Sequence, residues 1–386
     1  MFRPNVCHLL YRYYPIWGGA ENQAMILVSH LTRLNSNNFV VTRRFSKQHR
    51  AQEVIDGHSV YRVFSVGADS IGHLFFALSA LWFLWKRRKR FDILHVHGSV
   101  GMGLIGLFIA RLLGKKMVMK FSEAKKIGFL SQKRFGFFLL RLLKRIDRIV
   151  CISEKIHRNV LDIAVSSKKV ACIPNGVDTR NFSPGKDKVK SRQVLDLDSD
   201  AFIALFTGRL VWGKGLDILL KSWVQVVSKV PESLLLVLGS DAYQRDGVSG
   251  EAKRFVEENN LSNQVRFLGA QKDVDAYLKC SDLFIFPARD EAEGLSNSLL
   301  EAMACGLPVI ASDIHANRSI IENQRNGLLY PTEDFEKLTS TILMLKRDES
   351  IGRALGSNAH KTIREKYTIE AVSVEYAKLY QEILSE

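Results

Sequence analysis

The chain has 386 residues, of which 46% are hydrophobic and 25% charged, too long for one ordinary core and too apolar to be disordered or fibrous. Its 55 Lys and Arg against 40 Asp and Glu give a formal charge of +15. The excess is lopsided: residues 1–178 hold 29 basic and 10 acidic side chains, net +19, and the remainder 26 and 30, net −4. Such asymmetry points the first half toward nucleic acid, an anionic membrane surface or an acidic substrate, with a merely soluble basic surface as the plain alternative.

From the N-terminus, Val6–Leu10 is a short apolar run, too short for the core of a signal peptide, so no export is expected. With Phe39–Thr42, Ile93–His97, Met117–Phe121, Arg148–Ile152 and Val170–Ile173 it reads as strands buried on both faces, separated by helical patterns at Glu21–Leu34, Met102–Leu113 and Phe135–Arg145. The longest apolar stretch, Ile71 to Trp85, runs straight into Lys86-Arg-Arg-Lys-Arg90. It falls short of the roughly 18–20 residues that span a bilayer and reads as a buried or interfacial helix. After Pro174-Asn-Gly-Val-Asp178 a polar, lysine-rich stretch reaches about Asp200, and the alternation then restarts with Phe202–Thr207, Leu234–Leu238, Val265–Leu268, Leu283–Phe286 and Pro308–Ala311. Strand and helix in alternation imply parallel sheets covered on both faces. The expected organisation is an α/β domain over 1–178, a linker over 179–200, a second α/β domain over 201–368, and a C-terminal helix over 369–386 that packs back on the first. Ligands of open parallel sheets sit outside the carboxyl ends of the strands, so the expected site is the cleft between the two domains. The five cysteines are scattered, without a C-x-x-C pair, and read as reduced cytosolic thiols.

Several motifs carry chemistry. Gly18-Gly19-Ala20-Glu21 follows the first strand and opens a helix, where free N–H groups and the helix dipole can hold an anion; a tight turn needs the same glycines. Gly101-x-Gly103-x-x-Gly106 matches a dinucleotide fingerprint but follows a later strand, which favours close helix-to-sheet packing. Gly208 to Gly215 has P-loop spacing, with Gly215 where a Ser or Thr would bind magnesium. Arg209 and Lys214 can place two positive charges on a diphosphate without metal, or form a plain basic surface pair. In Glu293-Gly-Leu-Ser-Asn-Ser-Leu-Leu-Glu301, Gly294, Leu295 and Ser296 read as a helix N-terminus, and Glu301, eight residues beyond Glu293, as projecting from the same face. His95 and His97 end a strand and share a face by its period of two. Asp196-x-Asp198-x-Asp200 lies in the polar linker with nothing to aim it at a metal.

In this order, Gly18-Gly-Ala-Glu21, the strand end at His97, Ile173-Pro-Asn-Gly-Val-Asp178, Gly208-Arg209 with Lys214-Gly215, and Glu293 to Glu301 resemble the retaining nucleotide-sugar glycosyltransferases of the glycosyltransferase family 4 group. The resemblance covers essentially the whole chain and implies the GT-B fold, two facing Rossmann-like domains. It implies that Arg209 and Lys214 bind the donor diphosphate, and that Glu301 binds the ribose hydroxyls. Glu293 and the N–H groups of Gly294, Leu295 and Ser296 would hold the donor sugar, Gly19 would approach the distal phosphate, and His97 would lie near the reacting carbon. Many relatives have Pro or Phe where this chain has Ser296. The implied reaction moves a sugar from a UDP- or GDP-linked donor to a saccharide or polyprenyl-diphosphate-linked saccharide, without cofactor or metal, at the cytoplasmic face of a membrane. The basic excess then belongs to the acceptor side, where Ile71–Arg90 and Gly128–Arg148 combine apolar faces with basic residues as interfacial helices do. Rival readings are a nucleotide-sugar epimerase or hydrolase of the same shape, and an NAD-dependent oxidoreductase resting on Gly101, Gly103 and Gly106. A nucleic-acid-binding protein is disfavoured by the lack of interleaved exposed aromatics and of any zinc-finger or RNP-type motif.

Overall fold

The computed structural model describes residues 4–16, 18–34, 36–67, 70–122, 141–163, 165–241, 247–289 and 294–386. The chain forms two compact units: residues 1–176, 292–295 and 369–386 make the first, and residues 177–291 and 296–368 the second. Of the expected helix Phe135–Arg145, residues 135–140 lie outside the described residues, as do 128–140 of Gly128–Arg148, while 141–143 are helical.

The first unit is built on eight strands: β1 (Asn5–Leu10), β2 (Asn37–Arg43), β3 (Gln52–Ile55), β4 (His58–Val63), β5 (Ile93–His97), β6 (Lys116–Phe121), β7 (Arg148–Cys151) and β8 (Val170–Cys172). They lie in the order β3, β4, β2, β1, β5, β6, β7, β8. All neighbours are parallel except β3 and β4, a hairpin closed by Asp56 and Gly57, both at positive φ as a two-residue hairpin turn demands. This hairpin was not among the expected strands. Each β-branched, apolar strand is buried by helices, and the two expected helices start two residues earlier than read, at Gly19 and Val100. The C-terminal helix Ile369–Ser385 lays Ile369, Val372, Tyr376, Tyr380 and Ile383 on a cluster with Val6, Ile93, Val118 and Val150 from successive parallel strands. Gln23 of the first helix donates to the Gly176 carbonyl (2.9 Å) and accepts from its N–H (3.1 Å), pinning the Pro-Asn-Gly loop.

The second unit has six strands, all parallel: β9 (Phe202–Thr207), β10 (Ser233–Leu238), β11 (Val265–Gly269), β12 (Leu283–Phe286), β13 (Val309–Ser312) and β14 (Leu328–Tyr330), in the order β11, β10, β9, β12, β13, β14. Helices Leu216–Lys229 and Phe335–Arg347 close one core around the fully buried Trp223. Residues 179–200, expected as a linker, fold with this unit and carry the helix Lys188–Val194, whose Arg192 is buried against Asp282 (2.7 Å) and the carbonyl of Cys280 (3.0 Å). Asp196, Asp198 and Asp200 are exposed in a turn in which the Asp198 carboxylate accepts from the Asp200 N–H, a local turn bond.

Two of the three fingerprint glycines serve packing. Gly103 and Gly106 lie inside the helix Val100–Leu112, and a Cβ on Gly106 would stand 2.4 Å from Cγ2 of Val96 in β5. Gly106→Ala should therefore push helix from sheet and destabilise by about 1–3 kcal/mol, lowering the urea midpoint, with part of the loss recovered by adding Val96→Ala. An unchanged midpoint in Gly106→Ala would return these glycines to a ligand-binding role.

Candidate active site

Strand order reverses once in each sheet. In the first unit β1 has β2 on one side and β5 on the other; in the second β9 stands between β10 and β12. Crossovers leave such a point in opposite directions, so their helices part at the carboxyl ends of the strands and open a crevice. Gly19 follows β1 and His97 ends β5, Arg209 and Lys214 follow β9, and Glu301 is carried by the helix after β12.

In the first unit, β1 leads into the helix opened by Gly19, which is exposed at its N-terminus, with Glu21 in the first turn. His97 ends β5 opposite Leu10, and Gly98, at φ +133°, turns the chain sharply into the next helix. His95 and His97 do share a face, their rings 4.0 Å apart. Three further side chains complete the cluster. His8 of β1 places Nδ1 3.1 Å from Nε2 of His97, and Nε2 3.2 Å from Oδ1 of Asn38; Nδ1 of His95 lies 2.7 Å from the Tyr380 hydroxyl. Burial holds all three imidazoles neutral: His8 is lowered to about 3, and His95 and His97 fall well below the ordinary value. Lys120, at the carboxyl end of β6 opposite His97, is buried with no ion pair among the described residues, and burial alone lowers its amine to about 8. Among the described residues, the three histidines are also the one group whose ligating atoms, all within 4.8 Å of one another, have the spacing to hold a metal ion. No motif spacing marked His8, Asn38 or Lys120; the signal was only their places in β1, β2 and β6.

In the second unit, β9 ends in the turn Gly208 to Gly215. Arg209 is exposed, and Lys214 is buried with Nζ 5.0 Å from the Phe286 ring centroid. Gly215 is left-handed, and a Cβ there would meet the Pro287 carbonyl at 1.9 Å, which is why no Ser or Thr stands at this position. Arg289, after β12, braces the turn: its N–H donates to the Gly213 carbonyl (3.1 Å) and its guanidinium to the Trp212 carbonyl (2.7 Å). Burial works against that charge, but bidentate pairs with Asp217 (2.8 and 2.9 Å) and Glu333 (2.6 and 3.0 Å) outweigh it and raise its pKa further. Sequence reasoning missed this brace.

The segment after β12 corrects one expectation. Its helix is Asn297–Ala304, with Ser296 as N-cap accepting from the Leu299 N–H (3.4 Å). The first turn thus begins at Asn297 and Ser298, and Gly294 and Leu295 precede the helix. Residues 294–296 are not helical, and Glu293, whose two-turn spacing from Glu301 was read as a shared face, lies outside the described residues. Gly294 and Leu295 group with the first unit, where a Cβ on Gly294 would meet the Ser122 carbonyl at 2.4 Å. Glu301 lies mid-helix with no ion pair among the described residues, and burial raises its carboxyl to about 8.

Residues 17–181 match the family model described as Glycosyltransferase Family 4, and residues 187–362 the one described as Glycosyl transferases group 1. The chain belongs to the glycosyltransferase family 4 group. It is 26% identical over 304 residues to the UDP-Gal:alpha-D-GlcNAc-diphosphoundecaprenol alpha-1,3-galactosyltransferase of Escherichia coli, covering 76% of each chain. It is likewise 26% identical over 306 residues to the lipopolysaccharide core biosynthesis mannosyltransferase LpsB of Rhizobium meliloti, covering 78% of this chain and 83% of that one. Among solved structures, sucrose-phosphate synthase from Thermosynechococcus elongatus superposes with a TM-score of 0.85 at 21% identity, covering 99% of this chain and all of that one. HepE of Anabaena, in complex with UDP and glucose, gives 0.81 at 18%, covering 98% and 100%. The fold is GT-B, two Rossmann-like domains, as the motif order implied, and the glycosyltransferase is of the type that acts in glycan biosynthesis with nucleotide-sugar donors.

Glu301 makes the stability of this glycosyltransferase pH-dependent. A carboxyl raised from 4.5 to about 8 keeps its proton in the folded chain and loses it in the unfolded one, so its stabilising share is full below about 4.5 and is lost as pH rises toward 8. Glu301→Gln cannot ionise. Its thermal midpoint, compared with the wild type at each pH, should gain steadily between pH 5 and 8 by about the span of that titration. A difference independent of pH would show that the carboxyl is not desolvated.

Proposed function

We propose that the chain transfers a sugar, with retention of configuration and without a metal ion, from a UDP- or GDP-linked donor to a hydroxyl of a saccharide or polyprenyl-diphosphate-linked saccharide. The observation that carries this reading is the braced turn at the second unit's switch point. It presents Arg209 and a buried Lys214, held by the Arg289 clamp, where an α/β sheet takes its ligand. In the proposed step the bond from C1 to the diphosphate oxygen breaks as a bond from C1 to the acceptor oxygen forms on the same face, and the departing phosphate oxygen takes the acceptor's proton. Arg209 and Lys214 offset the charge that grows on the leaving diphosphate, the role a metal plays elsewhere. Glu301 accepts hydrogen bonds from ribose hydroxyls, which provide the partners its desolvated carboxyl lacks. Gly19, at a helix N-terminus, approaches the distal phosphate; Glu293, with the N–H groups of Gly294, Leu295 and Ser296, holds the sugar; His97 lies at the reacting carbon. Lipid-linked acceptors are favoured because the Escherichia coli relative's name specifies a diphosphoundecaprenol acceptor.

The second half of the proposal places the enzyme peripherally on the cytoplasmic face of the membrane. No described helix is long and apolar enough to cross one. Helix Ser70–Lys86 buries Phe76, Ala80 and Leu84 yet exposes Ile71, Leu74, Phe75, Leu78, Trp82 and Trp85, a second apolar stripe at helical spacing. Ile71 is 60% and Trp82 58% exposed. Lys86 and Arg88 cap it, with Nζ 4.4 Å from the Trp82 ring and the guanidinium 5.1 Å from that of Trp85. An exposed apolar stripe with a basic end fits the interface of an anionic bilayer.

Incubation of the chain with UDP- and GDP-sugars and a polyprenyl-diphosphate saccharide should give transfer that EDTA leaves unchanged, and Arg209→Ala and Lys214→Ala should each lower turnover about 100-fold or more. Near-normal turnover in both variants would overturn the diphosphate role, and EDTA inactivation reversed by Mg²⁺ or Mn²⁺ would overturn the metal-free one. Donor consumption that needs no acceptor would indicate the hydrolase or epimerase instead. For the membrane, the chain should sediment with anionic phosphatidylglycerol vesicles at low salt, with binding weakened by Trp82→Ser plus Trp85→Ser and by raised ionic strength. Absence of binding at low salt would remove the membrane role while leaving the transferase reading in place.

A further inference from the structure

The hydrogen bonds behind His97 have only one consistent direction. The Ser36 carbonyl can only accept, and Nδ2 of Asn38 donates to it at 3.0 Å. That turns Oδ1 of Asn38 toward Nε2 of His8, 3.2 Å away, and an amide oxygen also only accepts. His8 therefore carries its proton on Nε2 and, being neutral, has a lone pair on Nδ1. Nε2 of His97, 3.1 Å from that lone pair, must be the donor. His97 is neutral as well, so its Nδ1 keeps the lone pair, and His97 retains 5% of its surface where His8 and His95 retain none. The three rings are held in place: His8 lies 5.4 Å from His97 and 5.2 Å from His95, whose Nδ1 is tied to Tyr380.

We propose that Asn38 and His8 are positioning residues that lock His97 in the Nε2–H tautomer, so that Nδ1 of His97 acts toward a substrate hydroxyl as a hydrogen-bond acceptor and never as a donor. The substrate hydroxyl rests on the transferase reading above; the lock itself rests on the first unit's geometry alone. A partner on one ring nitrogen sets what the other can do. A metal ion on the three imidazoles would reverse the assignment, because His97 would then give its Nε2 lone pair to the metal and carry the proton on Nδ1.

The direct measurement is the ring spectrum of the ¹⁵N-histidine-labelled full chain, with resonances assigned from His8→Asn and His97→Gln variants, alongside the metal content of the same sample. Nε2–H at both His8 and His97, with metal far below one per chain, is the expected result; Nδ1–H at His97, or stoichiometric zinc, overturns the lock. In kinetics, His8→Phe removes the acceptor, and kcat should fall about 10-fold or more with little change in donor KM, whereas His8→Asn offers Oδ1 near the lost Nδ1 and should restore most of it. A chain that transfers sugar but carries Nδ1–H at His97 refutes the lock and leaves the transferase intact. A chain with Nε2–H that transfers nothing between the proposed donors and acceptors supports the lock and refutes that substrate reading.

Discussion

A parallel sheet whose strand order reverses must leave an opening, and both sites of this chain follow from that constraint. Crossovers are right-handed, so those to either side of β1, and of β9, place their helices on opposite faces, and the backbone groups at the strand ends between them lack a cover. What fills the second unit's opening is turn backbone packed to its limit. A Cβ on Gly239 would stand 1.7 Å from the Gly208 carbonyl, and one on Gly215 would stand 1.9 Å from that of Pro287. Neither turn can be rebuilt with larger residues, so the side chains between these glycines, Arg209 and Lys214 among them, inherit a fixed frame. The rigidity that orients a charge thus comes from backbone contact, with the Arg289 brace added to it.

The charges around the two openings divide by how they are satisfied. Arg289 meets two carboxylates in four hydrogen bonds and is a structural cation. Glu301 and Lys120 have burial without an ion pair among the described residues, and both drift toward neutrality in consequence. A buried group lacking its counterpart is unfavourable in the free protein, and the arrival of a ligand with the missing donors or negative charge relieves it. Lys120 belongs to one unit and Glu301 to the other, so each unit contributes a group without a counter-charge among the described residues.

Fold class was legible because strands buried on both faces read as unbroken β-branched runs, and Ile93–His97 and Phe202–Thr207 appear in the structure with the expected ends. The hairpin β3–β4 was missed because its half-exposed strands lack such a run, although Asp56-Gly57 was a readable turn signal. The helix after β12 was placed too early because Gly294 to Ser296 look like a helix start, while the capping hydroxyl of Ser296 moves the start to Asn297. Arg209, Lys214 and Glu301 could be named from order and spacing. His8 and Asn38 could not, because their role arises from the pairing of β1 with β2 and β5, contacts between residues 30 and 89 positions apart.

The charge asymmetry acquires a physical form in helix Ser70–Lys86. A helix packed on a sheet needs one apolar face, and this one has it in Phe76, Ala80 and Leu84. The second stripe, from Ile71 to Trp85, contributes nothing to that packing, and leaving it in water is unfavourable by about 25 cal/mol for each square ångström exposed. Nucleic acid would not relieve this, because stacking on bases requires flat aromatic faces open along a groove. Here the three aromatics of the six are Phe75, set among the stripe's aliphatic side chains, and Trp82 and Trp85, which stack on each other with ring centroids 5.5 Å apart. An interface with an apolar interior and an anionic surface relieves both features together: the stripe leaves water while Lys86 to Arg90, at its end, meet the headgroups. That is also the surface on which an acceptor carrying a lipid tail would reside, so the proposed location and the proposed acceptor class rest on the same chemistry.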